Sequence, residues 1–241
     1  MKLINTIEEY EWLWGWCKRS RNVTLGRYHE KGFTKRKIIR MNPAEATILH
    51  FFCKKAKTRI VEIGTRYGGS TFVICNCSTV PVISIDKNYH ENYVKKVKEQ
   101  FESRLQIINK TSRDVNLQDK YDVLFVDGSH TFRGVRADII NYWNNLEING
   151  YAIFHDYWSC SGVRRNVDPL IQNSIGKEIT ITEVATSQIK SIYDKAKLPT
   201  GLDFRQVESI DTHTGKKKMK TNQDIIVLQK IQNLTNNVYI S

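Results

Sequence analysis

The apolar positions form two alternating kinds of segment: short runs of β-branched and aromatic residues, and longer stretches with an apolar residue at every third or fourth position. The short runs predict buried strands, and the longer stretches predict amphipathic helices. The predicted strands are 60–63, 82–85, 105–108, 121–126 and 151–154. The predicted helices are 43–55, 71–77, 89–104, 131–146 and 162–173. Strands that alternate with helices require an α/β fold with a parallel, doubly wound sheet.

The two ends of the chain depart from this alternation. Residues 1–21 have a helical spacing of apolar positions, and residues 18–40 are basic and irregular. We therefore predict an N-terminal helical and basic extension, 1–41, which forms a lid or a dimer contact, and a main domain, 42–241. After a predicted strand at 179–184, the runs 204–210 and 224–230 predict a hairpin with an exposed basic loop.

A glycine-rich turn follows the first predicted strand and opens the next helix. Its glycines are Gly64, Gly68 and Gly69. Glycines let a ligand approach the backbone closely, and the first N–H groups of a helix lack partners within that helix. A crevice of this kind at the carboxyl end of a parallel strand is where open α/β sheets bind ligands. The spacing excludes a P-loop and matches the dinucleotide fingerprint poorly, which disfavours an NAD-dependent oxidoreductase.

Two carboxylates near this turn restrict the ligand further. Glu62 lies one residue before the end of the first strand, where it would repel a pyrophosphate but attract an ammonium or sulfonium group. Asp86 ends the second strand about 20 residues after Gly64, the usual offset of a carboxylate that binds ribose hydroxyls. Together they predict an adenosine ligand without phosphates.

Three motifs carry a family resemblance. The segment Glu62-Ile63-Gly64-Thr65-x-x-Gly68-Gly69-Ser70-Thr71 resembles the first motif of class I S-adenosylmethionine-dependent methyltransferases. Segments 125–132 and 149–156 are similar to the fourth- and fifth-strand motifs of macrocin O-methyltransferases and cephalosporin-hydroxylase-like proteins. The resemblance implies a methyl-transferring enzyme with S-adenosylmethionine as cofactor. It also implies a Rossmann-like, mostly parallel sheet with helices on both faces and an antiparallel C-terminal hairpin at one edge.

The resemblance and the carboxylate spacing together define a predicted cofactor site. Its residues are Glu62, Gly64, Thr65, Gly68, Ser70, Asp86, Ser112 and Asp127. Glu62 and Gly64 would face the methionine end and Asp86 the ribose. Ser112 lies where the class contacts adenine.

The ends of strands four and five supply the predicted catalytic groups. Asp127, His155 and Asp156 would lie within reach of one metal ion, and two carboxylates with an imidazole suit Mg²⁺ or Mn²⁺. The resemblance implies acidic residues at these strand ends, so His155 departs from the family pattern. The alternative to a metal site is that Asp127 contacts the methyl donor and His155 packs in the sheet. His130, on the turn after Asp127, is the predicted general base, or else a cap of the next helix.

The net charge of +12 is compatible with more than one class of methyl acceptor. It favours a polyanionic partner or an acidic substrate, unless the lysines only solvate the surface. The first hypothesis is O-methylation of a small polar acceptor, a sugar or a natural product, in a pocket lined by Tyr157 and Trp158. The second is methylation of RNA or another polyanion that binds the basic segment 18–40. The third is a non-catalytic nucleotide- or nucleic-acid-binding module on the same fold.

Cysteine usage and hydropathy bear on the compartment. Five cysteines without a C-x-x-C pair predict reduced thiols and a cytoplasmic protein. No apolar run approaches the ~18 residues of a membrane span, so no membrane partner is expected. A homodimer through the N-terminal extension is the alternative to a lid.

Overall fold

The computed structural model describes residues 39–41, 43–179, 206–210, 217–221 and 224–234. For residues 43–44, 206–210 and 217–221 only the backbone is described. The predicted N-terminal helix lies outside these residues, as do nearly all of the basic segment 18–40 and the greater part of the strand predicted at 179–184.

Nine strands and five α-helices are described. The strands are β1 (Ile60–Ile63), β2 (Val82–Ile85), β3 (Leu105–Ile108), β4 (Tyr121–Val126), β5 (Leu146–His155), β6 (Gly176–Glu178), β7 (Gln206–Ile210), β8 (Lys217–Thr221) and β9 (Ile225–Lys230). The α-helices are α1 (Pro43–Cys53), α2 (Gly69–Cys77), α3 (Glu91–Gln100), α4 (Phe132–Tyr142) and α5 (Ser161–Gln172). Single 3₁₀ turns occupy Ser112–Asp114 and Trp143–Asn145.

The main sheet has the order β3-β2-β1-β4-β5-β9-β6, and its first five strands run parallel. Side chains that alternate along each strand build two separate cores. Ile60, Val123 and Phe125 pack with α1, α2 and α3 on one face, whereas Val61 and Leu124 pack with α4 and α5 on the other. The structure therefore confirms the predicted doubly wound α/β fold, and it places the carboxyl ends of β1 to β5 at one edge.

The antiparallel pair at the C-terminal side is confirmed, but its partners differ from the prediction. β9 pairs with β5 on one side and with β6 on the other, whereas β7 pairs with β8 in a separate two-stranded sheet. The prediction that 204–210 pairs with 224–230 was therefore wrong. Ile225 to Leu228 are all buried because β9 lies inside the sheet with a neighbour on each side.

Two further predictions can be compared with the described residues. No helix in them is long and apolar enough to cross a membrane. The cysteines among them, Cys53, Cys75, Cys77 and Cys160, are all free thiols.

Candidate active site

A cavity of about 740 Å³ opens at the carboxyl ends of the parallel strands. Five loops line it, one after each of β1 to β5: residues 64–67, 86–88, 110–113, 127–130 and 155–156. The volume lies within the range typical of small-molecule sites. The sheet topology therefore places the predicted ligand crevice where the sequence expects it.

The glycine turn forms the wall between β1 and β4. Gly64 has φ +103°, and a Cβ atom there would lie 2.3 Å from the carbonyl oxygen of Asp127. Gly68 has φ +75° and caps the N-terminus of α2 without lining the cavity. Only glycine combines this backbone conformation with so close an approach, so the turn fixes the distance between the β1 and β4 loops.

Glu62 lies behind this wall and does not line the cavity. Its side chain is fully buried, and it accepts hydrogen bonds from the hydroxyls of Ser70, Thr71 (2.6 Å) and Ser84 (2.6 Å). Burial raises the pKa of Glu62 to about 7, against the lowering effect of these hydrogen bonds. The expectation that Glu62 faces the ligand is therefore corrected: the carboxylate ties α2 and β2 to β1.

Asp86 lines the cavity and also organises the loops around it. Its two carboxylate oxygens accept hydrogen bonds from the backbone N–H groups of Arg66 and Asn88, each at 2.8 Å. A carboxylate can accept about four hydrogen bonds, so Asp86 retains acceptor capacity toward the cavity. Its role as a cap and its predicted role as a ribose ligand are compatible.

In the loop after β3, the predicted Ser112 pairs with Asp138 on α4, a residue that sequence reasoning missed. The Ser112 hydroxyl donates to the carboxylate of Asp138 at 2.5 Å, and both residues line the cavity. Burial raises the pKa of Asp138 to about 6. A signal was present, because Asp138 lies three residues after Val135 and so falls on the buried stripe of α4.

Two carboxylates and two imidazoles meet at the ends of β4 and β5. His130 Nε2 lies 3.4 Å from Asp127 Oδ1 and 3.1 Å from Asp156 Oδ2. His155 Nδ1 lies 3.4 Å and 3.2 Å from the same two oxygens. We call these four residues the Asp–His ring. The structure thus brings together every residue that the sequence predicts as catalytic or metal-binding.

Local backbone features hold the ring in place. Asp156 has φ +55°, which turns the chain sharply at the end of β5. Thr131, rather than His130, caps α4 by accepting a hydrogen bond from Gly134 N–H at 3.1 Å. The alternative role of His130 as a helix cap is therefore excluded.

Glu45 is a second contributor that sequence reasoning missed. Its Oε2 lies 3.5 Å from His155 Nε2, and its Oε1 accepts a hydrogen bond from Asp224 N–H at 2.9 Å. An acidic residue in the first turn of a helix is expected from the helix dipole alone. No local pattern therefore signals that Glu45 reaches a histidine 110 residues later in the chain.

The charges of the ring stabilise one another. Burial alone would lower the pKa of His155, but the carboxylates of Asp127, Asp156 and Glu45 outweigh it and hold that pKa well above 6.5. The hydrogen bond to Asp127 raises the pKa of His130. Burial alone would raise the pKa of Asp127, but both imidazoles keep it below its usual value. The ring is therefore a compact set of paired charges beside the cavity.

The predicted acceptor-pocket aromatics lie elsewhere. Tyr157 is buried in the core beneath α5, and its hydroxyl donates to Asp168 at 2.5 Å. The backbone N–H of Trp158 donates to Asp224, and its side chain packs against the same core. Neither residue lines the cavity, so this prediction was wrong.

Known proteins match the chain in two ways. Residues 61–157 match a family model described as a methyltransferase domain. Cofactor-bound Rv0187 from MTB is 12% identical, with 81% of this chain and 83% of that chain covered and a TM-score of 0.56. An O-methyltransferase from Bacillus cereus in complex with SAH is 13% identical, with 79% and 83% covered and a TM-score of 0.53. The O-methyltransferase TomG from Streptomyces achromogenes, in complex with SAM, is 12% identical, with 81% and 82% covered and a TM-score of 0.52. No curated protein matches the sequence.

The matched segment runs from β1 to the residue after Asp156, and so includes the glycine turn and the Asp–His ring. At such low identities the solved structures establish the fold. Residues 61–157 are similar to a methyltransferase domain, and the chain shares the Rossmann-like fold of these solved structures.

Proposed function

We propose that the chain transfers a methyl group from S-adenosylmethionine to a hydroxyl oxygen of a small polar acceptor, such as a sugar or a natural product. The observation that carries the proposal is the pairing, in one cavity, of a glycine turn with a cluster of proton-binding groups. Methyl transfer to oxygen needs both parts, because the donor must be aligned and the acceptor must lose a proton.

The residues at the β1–β3 end of the cavity fit the methyl donor. Bound there, S-adenosylmethionine would supply a methyl group on a positively charged sulfur. Gly64 leaves room beside the backbone, Asp86 offers carboxylate oxygens for ribose hydroxyls, and Ser112 with Asp138 borders the far wall. Thr65, hydrogen-bonded to Ser84 at 2.6 Å, and Ser70 complete this part of the site.

The Asp–His ring at the other end fits removal of the acceptor proton. The side chain of His130 is 40% exposed, so it is the member most accessible from the cavity. In one arrangement His130 accepts the proton while Asp127 and Asp156 stabilise its charged form. In the other, Asp127, His155 and Asp156 hold a divalent cation, which would act as a Lewis acid on a hydroxyl bound to it.

Methyl-group transfer itself tests the proposal. The purified full chain is incubated with S-adenosylmethionine labelled in the methyl group and a panel of sugars, phenols and hydroxy acids. We expect label in at least one hydroxyl-bearing product and formation of S-adenosylhomocysteine. Label that enters only nitrogen or sulfur acceptors, or none at all, would contradict the proposal.

The charge around the cavity favours a second candidate, methylation of RNA or another polyanion. Five basic residues line the cavity: Arg40, Arg66, Lys87, Lys110 and Arg113. Together with the net charge of +12, they would attract an anionic acceptor. Steeply salt-dependent binding of RNA, with methyl transfer to it, would favour this candidate over the first.

A further inference from the structure

Asp224 lines the cavity immediately before β9, although it lies far in the sequence from the residues that it contacts. Its carboxylate oxygen Oδ1 accepts hydrogen bonds from the backbone N–H groups of Trp158 at 2.6 Å and Ser159 at 3.0 Å. Its own N–H donates to Oε1 of Glu45 at 2.9 Å. Hydrogen bonds that involve an ionised group are stronger than those between neutral groups. Asp224 therefore ties the loop after β5 to α1.

The first connection runs from Asp224 to Asp156 of the Asp–His ring. Ser159, whose N–H is held by Asp224, donates its hydroxyl to Oδ1 of Asp156 at 3.2 Å. The other oxygen of that carboxylate, Oδ2, faces the nitrogens of His130 at 3.1 Å and His155 at 3.2 Å. Through Ser159, Asp224 thus orients the carboxylate that both ring histidines share.

The backbone of Asp156 also needs support from its surroundings. Its φ of +55° lies in the left-handed region, which is unfavourable for most residues other than glycine. Such a conformation persists only where neighbouring contacts enforce it. The N–H of Cys160 donates to the Asp156 carbonyl at 2.9 Å and closes the turn, and Asp224 holds Trp158 and Ser159 within it. Loss of the Asp224 carboxylate would leave the turn without two of these three bonds.

The second connection runs from Asp224 to His155 through Glu45. The N–H of Asp224 holds Oε1 of Glu45, and Oε2 of the same carboxylate lies 3.5 Å from Nε2 of His155. The side chain of His155 is only 13% exposed, so its ring can turn only if its neighbours move. The two connections therefore reach the ring at different members.

We infer that Asp224 is a positioning residue that fixes the Asp–His ring from two sides, at Asp156 and at His155. Methyl transfer depends on the alignment of the reacting groups, and a displacement of about 1 Å can cost roughly 10²-fold in rate. The effect on rate rests on the proposed function. The arrangement of the ring, in contrast, can be measured without any methyl transfer.

Asp122, near the amino end of β4, offers a matched control. Its carboxylate also accepts hydrogen bonds from backbone N–H groups, those of Lys57 at 2.5 Å and Arg59 at 3.2 Å, but it does not line the cavity. Asp122→Ala therefore removes a similar anchor of a loop without contact with the ring.

The test compares Asp224→Ala, Asp224→Asn and Asp122→Ala in the full chain. Asparagine keeps an oxygen that can accept both N–H groups, whereas alanine has no such acceptor. Two-dimensional ¹H–¹⁵N spectra of the imidazoles, assigned with His130→Gln and His155→Gln, report on the ring. We expect Asp224→Ala to move the signals of both histidines and Asp224→Asn to leave them near their wild-type positions. Asp122→Ala should move neither signal.

The rate of methyl transfer is the second readout, measured with the acceptor of the panel that takes up most label. Asp224→Ala should lower kcat roughly 10–100-fold, and Asp224→Asn should recover most of this loss. Affinity for S-adenosylhomocysteine should change by no more than about threefold in either variant, because the two connections end at the β4–β5 side of the cavity.

Ser159→Ala keeps the test decisive if circular dichroism shows that Asp224→Ala does not fold. It removes only an exposed hydroxyl, the link to Asp156, and should also move the signal of His130. Unchanged imidazole signals in these variants, equal changes in Asp122→Ala, or an Asp224→Asn variant as impaired as Asp224→Ala would overturn the inference. A wild type that binds no S-adenosylhomocysteine would contradict the proposed function, while the imidazole signals would still decide the role of Asp224.

Discussion

The two halves of the cavity are built in different ways. Above β1 to β3, the wall consists of three backbone turns, at Gly64, Asp86 and Ser112, and each turn is formed by residues that are adjacent in the sequence. Above β4 and β5, it consists of ionisable side chains that meet from distant places, with Glu45 on α1 facing His155 on β5. A half defined by backbone shape suits recognition of a donor, and a half defined by coupled charges suits chemistry.

The difference predicts that the two halves can be disabled separately. Variants on the β4–β5 side should affect turnover and leave donor binding intact, whereas variants on the β1–β3 side should first weaken donor binding.

The largest effect is expected at His130. His130→Gln removes the imidazole that we propose as proton acceptor, and methyl transfer should fall by roughly 10²–10⁴-fold. Affinity for S-adenosylhomocysteine should change by no more than about threefold, well under 1.4 kcal/mol. Turnover assays measure the rate and calorimetry measures the affinity, with His90→Gln as control because His90 is an exposed histidine that stacks on Tyr67. Equal losses of rate and of affinity would mean that the two halves are not separable.

Gly64→Ala should damage the donor half and the fold together. The new Cβ would meet the backbone of Asp127 at 2.3 Å and would require φ +103° from a non-glycine residue. Strain and overpacking together should cost about 4 kcal/mol of unfolding free energy, measured by urea denaturation. Gly128→Ala is the matched control, since the nearest atom to its Cβ would be a side-chain methyl of Ile63, at 3.1 Å, and no backbone atom would lie closer than 3.8 Å. An equal loss of stability there would show that the contact with Asp127 is not the cause.

Glu62 should give the protein a pH-dependent stability. Its pKa is raised from 4.5 to about 7 in the folded chain, so the folded state binds the proton more tightly than the unfolded state. Stability should therefore fall by about 3 kcal/mol as pH rises from 4.5 to 7. Glu62→Gln cannot ionise and should lose this part of the slope; urea unfolding of both proteins between those pH values measures it, and parallel curves would refute the assignment.

The smallest effect is expected at Asp86. Asp86→Asn keeps one acceptor oxygen for the loop but loses the charge that would bind ribose hydroxyls, so affinity for S-adenosylhomocysteine should fall about tenfold. Asp119→Asn is the control, because Asp119 is exposed and pairs with Arg59 away from the cavity. Unchanged affinity of Asp86→Asn for S-adenosylhomocysteine would mean that Asp86 only holds the loop backbone at Arg66 and Asn88.

The contrast between the halves also explains what could be predicted from the sequence. β1 to β4 form where short β-branched runs predict strands, because burial on both sheet faces leaves a local signature. The glycine turn is equally local. Asp127, His130, His155 and Asp156 could be placed at neighbouring strand ends because alternating strands and helices predict a parallel sheet.

What could not be predicted depends on contacts between distant segments. The position of β9 between β5 and β6 is a choice among partners that hydropathy does not encode. In the sequence, Glu45 looks like any acidic residue in the first turn of a helix, and nothing indicates its contact with His155. Tyr157 was predicted to line the acceptor pocket, but its hydroxyl is hydrogen-bonded to Asp168 in the core. Glu62 was placed in the cavity because its charge suits a sulfonium, whereas the hydroxyls of Ser70, Thr71 and Ser84 enclose it.

Calorimetric titration of the wild-type full chain with S-adenosylhomocysteine tests the central claim most directly, that this cavity is a methyl-donor site. We expect one molecule bound per chain with micromolar affinity, with or without added metal. A chain that is folded by circular dichroism and shows no binding in either condition would contradict the claim, and the glycine turn would then have to serve a different ligand.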